Sequence, residues 1–445
     1  MPKRSASLGV PLPYFVAGLV AWVLVAGGVP LLAPHLVAGY DDPQVLALTH
    51  LAVLGWVTMT IMGALYQLFP VALQATISRP RLGRWNFWVY LAGVAGFVPS
   101  FYFNWTPGVA VFGSLAVGGV IHFASNLLLS YPSIRSWHPM AAYLLCGLGW
   151  LVVTLGFGLT WALDWQFNWF GITPNLLAAH VHVGLVGWLA CTLMGVSYKL
   201  MELFALSHRL SWRLAYANLG IWNAGLAGLT VSLLLWPGSP AVTACAALLG
   251  LSAAVFVFDL LRLWMGRRRR GISLEQAHLA VSLSSLLLAA ALGVLIASGA
   301  SLRPNWVVAY GYAAIVGCFG FAIIGKYSKI IPFLIWLSRD SGSAGARPIP
   351  LLKDLVDDRL GWASFALLLA GYSVAVTGLL AARASVVVAG GLLFLAGTAA
   401  GAVGIGAALL PGRHFWRAPR VPPALERRPS WRPSPGPGTQ RRPPE

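Results

Sequence analysis

Two histidines lie two residues apart within an apolar segment that is long enough to cross a membrane. The segment reads His180-Val181-His182 and continues to Gly187 and Trp188. Because a helix turns about 100° per residue, His180 and His182 point about 200° apart and cannot easily share one metal ion. Buried ionisable groups in a membrane are costly and usually functional, so the pair predicts two ligand sites, one against each neighbouring helix. The alternative is that each imidazole only hydrogen-bonds to the next helix.

The composition places this segment in a membrane protein. The chain has 445 residues, of which 58% are hydrophobic and 9% charged, and its mean hydropathy of +0.75 excludes an ordinary soluble domain. Apolar runs of about 20 residues are long enough to span a bilayer. They begin near Leu12, Val45, Phe87, Gly108, Met140, Asn175, Leu214, Ala241, Leu274, Asn305, Gly361 and Ser385. The sequence therefore predicts an all-α, polytopic membrane protein with twelve transmembrane helices, the first of which is not a cleaved signal.

The positive charges predict the topology. The formal net charge is +18, and with the N-terminus inside, 28 of the 30 Lys and Arg residues fall on the cytoplasmic side. Only Arg303 and Arg383 fall outside, whereas the Arg267 to Arg270 run lies inside. This split follows the positive-inside rule, so the basic balance reflects topology and contact with the lipid bilayer, and we expect no nucleic-acid partner. Both termini are predicted to be cytoplasmic, in a multi-pass protein of the cell (inner) membrane.

Three regions are expected along the chain. Residues 1–11 form a cytoplasmic N-terminus, residues 12–410 a membrane domain, and residues 411–445 a disordered, basic, Pro-rich cytoplasmic tail that cannot bury enough apolar surface to fold. The four cysteines are scattered over different predicted spans without a CxxC pair, which indicates small core residues and no thiolate site.

An internal repeat organises the membrane domain. The segment from His50 reads HLAVLGWVTMTIMGALYQLFP, and the segment from His182 reads HVGLVGWLACTLMGVSYKLME. A weaker third copy, YAAIVGCFGFAIIGKYSKIIP, begins at Tyr312. The copies fall on the second, sixth and tenth predicted helices, which predicts three pseudo-equivalent four-helix arcs around an axis. The alternative is chance similarity between glycine-rich membrane helices.

These features resemble subunit I of the haem-copper oxidases. The string from His180 to Trp188, with Gly195 behind it, is similar to the tenth helix of the cbb3-type members, where HxH ligates two haems. The resemblance covers residues 12–410, although its specific motifs cover about three helices. It implies a b-type haem, room for a second haem, and cytochrome c or a quinol as electron donor. An active oxidase subunit is one function that it implies.

The chain also departs from the family pattern. The family holds copper with three imidazoles, two of them a His-His pair on the seventh helix, but the span from Leu214 to Trp236 contains no histidine. The HxH lies on the sixth helix, and Tyr312 stands on the tenth. We therefore expect no copper and assign no catalytic residue. A redox or gas-responsive role, resembling the haem-and-copper membrane proteins of the nitric-oxide response, becomes the leading interpretation.

The haem ligands are predicted from depth and from the repeat. His50 and the HxH pair lie at one depth, about 10 Å inside the outer surface, where two imidazoles on facing helices give a six-coordinate haem. His50 is equivalent to His182, and pseudo-equivalent residues cannot meet face to face, so His180 is expected to pair with His50. The order is open, because small helix rotations would pair His50 with His182. His182 is expected to face Tyr312 on the tenth helix, in a second site that holds a haem, a small gas ligand or no cofactor.

Arg303, at the outer end of the tenth helix, is a candidate partner for a haem propionate. Its alternative role is that of an ordinary interfacial arginine. A transporter whose histidines hydrogen-bond to substrate is the rival function, but it predicts helix breaks or buried charges at mid-membrane that the sequence does not clearly show. A structural subunit that has lost its cofactors is a third interpretation.

Overall fold

The computed structural model describes residues 9–169, 171, 173–205, 210–267, 271–299, 303–340 and 358–409. Every regular element within these residues is helical. The α-helices are α1 (Pro11–Leu31), α2 (Ala33–Ala38), α3 (Pro43–His50), α4 (Met59–Leu73), α5 (Pro80–Tyr102), α6 (Thr106–Leu128), α7 (Pro139–Phe167), α8 (Pro174–His182), α9 (Cys191–Ala205), α10 (Trp212–Leu235), α11 (Pro240–Met265), α12 (Leu274–Ala297), α13 (Pro304–Tyr312), α14 (Phe321–Asp340), α15 (Asp358–Leu380) and α16 (Ala384–Leu409). The predicted all-α class is confirmed.

Eleven helices of the described part are long and apolar enough to cross a membrane, so the chain is a multi-pass integral membrane protein. The third expected span, α5, is not among the eleven. It has 23 residues, but its first two turns carry Arg81, Arg84 and Asn86, which lower its mean hydropathy. It nevertheless packs along α6 and against α3.

Three of the spans change helical geometry at the same place in the repeat. Each contains an eight-residue π-helical segment that follows His50, His182 or Tyr312 directly. The segments are π1 (Leu51–Thr58), π2 (Val183–Ala190) and π3 (Ala313–Gly320). Segments of π-helix are rare and often occur at functional sites. Their recurrence at equivalent positions shows that the aligned sequences also share an unusual backbone.

The same close contact between helices also recurs in the three repeats. The glycine thirteen residues after His50, His182 or Tyr312 packs against the first helix of its own repeat. A Cβ atom built on this glycine would lie only 2.6 to 2.7 Å from the Cβ of the facing residue. The pairs are Gly63 with Tyr14, Gly195 with Tyr143, and Gly325 with His278. No larger residue fits here without moving a helix.

The helices follow one another around the bundle and the last returns to the first. Helix α6 packs against α7, α11 against α12, and α16 against α1, while π1 and π2 each contact π3. The predicted tail, residues 411–445, and residues 1–8 of the predicted N-terminus lie outside the described residues. The Arg267 to Arg270 run is described only at Arg267.

Candidate functional site

One large cavity occupies the half of the bundle that contains His50 and His182, which we call the histidine half. Its volume is about 1320 Å³, which exceeds the roughly 300 to 1,000 Å³ of an ordinary ligand pocket. All three histidines of the sequence prediction line it, as does Tyr312. The remaining lining is mostly aliphatic and aromatic, so a bound group would be held away from water.

The cavity extends to both sides of α8, which carries the HxH pair. The cavity residues that contact His50 or His180, or pack on those that do, form what we call the His180 lobe: His50, Phe97, Phe101, Gly113, Gly158, Trp161 and His180. We call the part around His182 the His182 lobe, whose walls are mainly small residues and which is lined by His182, Ala246, Gly250, Ala289, Ala290, Gly293 and Tyr310. The HxH spacing thus places one imidazole in each lobe.

His50 ends α3 and presents one ring nitrogen to the cavity. Its Nδ1 lies 2.8 Å from the carbonyl oxygen of Leu46. A carbonyl only accepts, so Nδ1 donates and Nε2 keeps its lone pair. The ring stacks on Phe101 at 4.7 Å and meets the edge of Phe97 at 5.3 Å. Metal-ligating histidines commonly have such a donated Nδ1 proton, which fixes the tautomer and the ring orientation.

His182 has the same local geometry one repeat later. Its Nδ1 donates to the carbonyl oxygen of Ala178 at 2.7 Å, so its Nε2 is also an acceptor. The hydroxyl group of Tyr310 lies 3.3 Å from this Nε2 and therefore donates to it. The residue of the tenth helix that meets His182 is thus Tyr310 and not, as expected from the sequence, Tyr312.

His180 differs from the other two because its Nδ1 is buried without a hydrogen bond of normal geometry, although the backbone of Thr154 is near. The ring lies against Gly158, where a Cβ atom would come within 3.1 Å of the imidazole Cε1. Its centroid is 6.5 Å from that of Trp161, and it is within electrostatic range of His50. Helices α3 and α8 therefore bring His50 and His180 into one lobe.

Tyr312 and Arg303, the other two predicted site residues, lie at the start of the tenth span. Tyr312 stacks on Tyr372, with ring centroids 5.9 Å apart, and its buried hydroxyl group has no hydrogen-bond partner. Arg303 is exposed at the start of α13. It directly precedes Pro304, which lines the cavity, so it stands at the cavity rim.

The cavity lining also includes acidic residues. Asp41 and Asp164 line the cavity, and the adjacent Asp42 caps α3 by accepting a hydrogen bond from the backbone of Gln44 at 2.8 Å. Partial burial opposes ionisation of Asp42, but the hydrogen bonds from His35 and Gln44 outweigh it and lower the pKa of this carboxyl group. These groups hold the start of α3, and hence His50, in place.

The repeat contained a signal for Tyr310 that the sequence prediction did not use. Tyr310 stands two residues before Tyr312, as His180 stands two residues before His182. The rotation that turns His180 toward the preceding repeat therefore turns Tyr310 toward His182. The π-helical segments that follow these residues had no comparable signal.

Within the described ranges no three His, Cys, Asp or Glu side chains come together in a group that could hold a metal ion. The sequence matches no protein-family model and no curated protein.

Proposed function

We propose that the protein is a haem-binding integral membrane protein with a redox or gas-responsive role, in which His50 and His180 would hold a b-type haem between α3 and α8. One observation carries the proposal: His50 and His180, from two helices, line one mostly apolar cavity of about 1320 Å³ and lie within electrostatic range of each other. The resemblance to subunit I of the haem-copper oxidases supports the same assignment.

The donor set of the His180 lobe fits such a group. Neutral imidazole is the usual protein ligand of haem iron, and His50 already has the tautomer that leaves Nε2 free. His180 has an orphaned ring nitrogen, and the adjacent Gly158 lets the imidazole ring pack close to the backbone of α7. Phe97, Phe101 and Trp161 line the lobe and would pack against an aromatic macrocycle. The exposed guanidinium group of Arg303 and the amides of Asn168 and Asn175 are the rim donors for carboxylate groups.

His50 and His180 would hold the haem, which would supply one-electron redox chemistry when bound. The residues of the chain fix the two imidazoles and exclude water from them. Electrons would come from cytochrome c or a quinol. We propose no copper, since the seventh span lacks the family's two histidines.

The His182 lobe is the candidate for a second haem or a small gas ligand. The one Nε2 lone pair of His182 accepts the 3.3 Å hydrogen bond from Tyr310, so a ligand at this nitrogen would displace that hydroxyl group. No other imidazole faces it from the described part of the tenth span, where the repeat has tyrosine instead. His182 would be the protein residue that holds a haem there, and such a haem would supply the chemistry of nitric oxide or carbon monoxide binding.

We further infer that α5 is a twelfth span and that the helices form three four-helix arcs. The recurring π-helical segments, the recurring glycine contacts and the packing of α16 on α1 support this arrangement. With twelve spans and the positive-inside rule, both termini face the cytoplasm of a cell-membrane protein. The histidine half is then the outer half.

An absorption spectrum of the purified protein, oxidised and dithionite-reduced, tests the haem proposal. We expect sharp, low-spin b-type bands in the wild type and their loss or conversion to high-spin bands in His50→Ala and His180→Ala. His278→Gln is the matched control, because the Nδ1 of His278 also donates four residues back, to Leu274 at 2.9 Å, but His278 does not line the cavity.

Added imidazole should restore the low-spin bands in His180→Gly if the variant is folded and the ligand is missing. A colourless wild type from cells supplied with haem would refute the haem proposal. Equal loss of the bands in His278→Gln would show that general destabilisation, and not ligand removal, explains the effect.

A further inference from the structure

A second set of buried polar residues lies in the half of the bundle opposite the histidines. It occurs in both the first and the second repeat, at positions that the packing makes equivalent. In both repeats the first-helix tyrosine donates to a backbone carbonyl of the third helix, Tyr14 to Gly83 at 2.9 Å and Tyr143 to Ala215 at 3.0 Å. The two sets can therefore be compared residue by residue within one molecule.

A close contact between the third and fourth helices of each repeat shows which residues of the two fourth helices, α6 and α11, are equivalent. A Cβ atom on Gly93 would meet Ala116, and one on Gly225 would meet Leu249. Ala116 of α6 is therefore equivalent to Leu249 of α11. Counting ten residues on from each, Asn126 is equivalent to Asp259. The complete sets are Tyr14, Tyr66, Asn86 and Asn126 in the first repeat, and Tyr143, Tyr198, Asn218 and Asp259 in the second.

In the first repeat the fourth residue is neutral and hydrogen-bonded. Asn126 is fully buried. Its Nδ2 donates to the carbonyl oxygen of Arg79 at 3.0 Å and to the Tyr66 hydroxyl group at 3.4 Å. Its Oδ1 accepts from the backbone N–H of Arg79 at 3.0 Å. An amide is thus sufficient for packing at this position.

In the second repeat the same position is an acid without such bonds. Asp259 is 0% exposed, and neither carboxyl oxygen has a hydrogen-bond partner of normal geometry. The buried hydroxyl group of Tyr198 nearby is also without one. The nearest cation, Arg262 on the same helix, has its Nη1 3.6 Å from Oδ1 and is 40% exposed. A buried carboxyl group is costly unless it is paired or protonated.

We propose that Asp259 is a proton-binding site within the membrane, where it takes up and releases a proton from the side on which α11 ends. The residue lies six positions before Met265, the last residue of α11, and hence about 9 Å from that end. Proton uptake converts the carboxylate to a neutral acid, whose O–H can donate to a neighbouring oxygen as the Asn126 amide does. Release restores the carboxylate beside Arg262.

The groups that face the carboxylate limit its chemistry. They are Tyr198 on α9 and Arg262 on α11, with Tyr143 of α7 next to Tyr198. Helices α10 and α12 bring no further titratable group to it among the described residues. The site therefore holds one exchangeable proton. If the proposed function is correct, uptake of this proton would offset the charge of an electron that enters the cavity.

Infrared difference spectroscopy of the purified full chain during a pH titration tests this site directly. We expect a carbonyl band of a protonated, buried carboxyl group that disappears as the pH rises and is absent in Asp259→Asn. Because Asn126 fills the equivalent position, Asp259→Asn should fold and have a Tm at or above that of the wild type. Asn126→Asp is the reciprocal variant and should introduce a second such band.

Three results would overturn the proposal: no titrating carboxyl band in the wild type, a band that survives in Asp259→Asn, or a shift of the band with sodium concentration at fixed pH. A Tm well below that of the wild type in Asp259→Asn would indicate a structural ion pair with Arg262. The infrared measurement does not need haem, so it can succeed where the haem proposal fails. The reverse outcome, a haem spectrum without a carboxyl band, would remove only this inference.

Discussion

The contact between Gly195 and Tyr143 gives a quantitative prediction about the repeated packing. A Cβ atom on Gly195 would lie 2.6 Å from the Cβ of Tyr143 and 3.2 Å from the carbonyl oxygen of Met140. Both atoms are part of, or directly attached to, the backbone of α7, so no rotamer change relieves the clash. Carbon atoms pack at about 3.5 Å or more, and α7 and α9 would have to separate by roughly 0.9 Å in Gly195→Ala.

Overpacking of this kind costs about 1 to 3 kcal/mol. Alanine in place of glycine in a helix recovers up to about 1 kcal/mol through helix propensity. Gly149→Ala supplies the matched control. Gly149 lies on α7, the helix that Gly195 of α9 contacts, and a Cβ atom on Gly149 would meet nothing within 4 Å. The propensity gain is common to both variants. The difference between them is therefore the overpacking cost, about 1 to 3 kcal/mol.

Thermal unfolding in detergent, followed by tryptophan fluorescence, is the assay. We expect a Tm below that of the wild type for Gly195→Ala, and a Tm at or above it for Gly149→Ala. Gly63→Ala and Gly325→Ala should behave as Gly195→Ala does, because their contacts are equivalent. If Gly195→Ala were as stable as Gly149→Ala, the close helix contact and the reasoning from the repeat would be wrong.

Three further predictions concern topology, metal content and pH. Reporter fusions after Gly271 should be cytoplasmic and fusions at Arg383 external; the opposite result would reject the positive-inside assignment. Elemental analysis should find no stoichiometric copper, and oxygen consumption from a quinol or cytochrome c should be negligible; one copper per chain with rapid turnover would restore the oxidase interpretation. Asp42→Ala should lose about 1 kcal/mol of stability with the helix cap. Since the pKa of Asp42 is lowered, this stabilisation is present above the ordinary Asp pKa of about 3.9 and is lost as the pH falls through the lowered value; a Tm difference from the wild type that persists in strong acid would contradict it.

Hydrophobic runs and the repeat were sufficient to predict the helical class and the membrane location, and they singled out His50, His180, His182 and Tyr312, which line the cavity. This succeeds because the apolar length of a span and the 100° helical step are local properties. The repeat also constrained rotation, and the structure accordingly turns His180 toward the side of His50. The identity of a bound group stays a prediction, because the cofactor that the histidine Nε2 atoms would bind is not part of the polypeptide.

Other features could not be read from the sequence. The backbone carbonyl groups of a π-helical segment can accept hydrogen bonds from side chains of other helices. Here the Tyr90 hydroxyl group donates to the carbonyl oxygen of Leu54, and the Trp222 indole N–H donates to that of Val186, both at 3.0 Å. Those donors come from other helices, so no local pattern shows them. The burial of Asp259 beside Tyr198 is similarly a result of packing between helices, so the position of this acid in the sequence does not reveal it.

Near-infrared magnetic circular dichroism of the oxidised, purified protein tests the central claim most directly, because it identifies the axial ligands of a low-spin haem. We predict a bis-imidazole signature in the wild type and in His278→Gln, and its loss in His50→Ala and in His180→Ala. A protein without haem, or a bis-imidazole signature that survives His180→Ala but disappears in His182→Ala, would contradict the assignment of the site to His50 and His180.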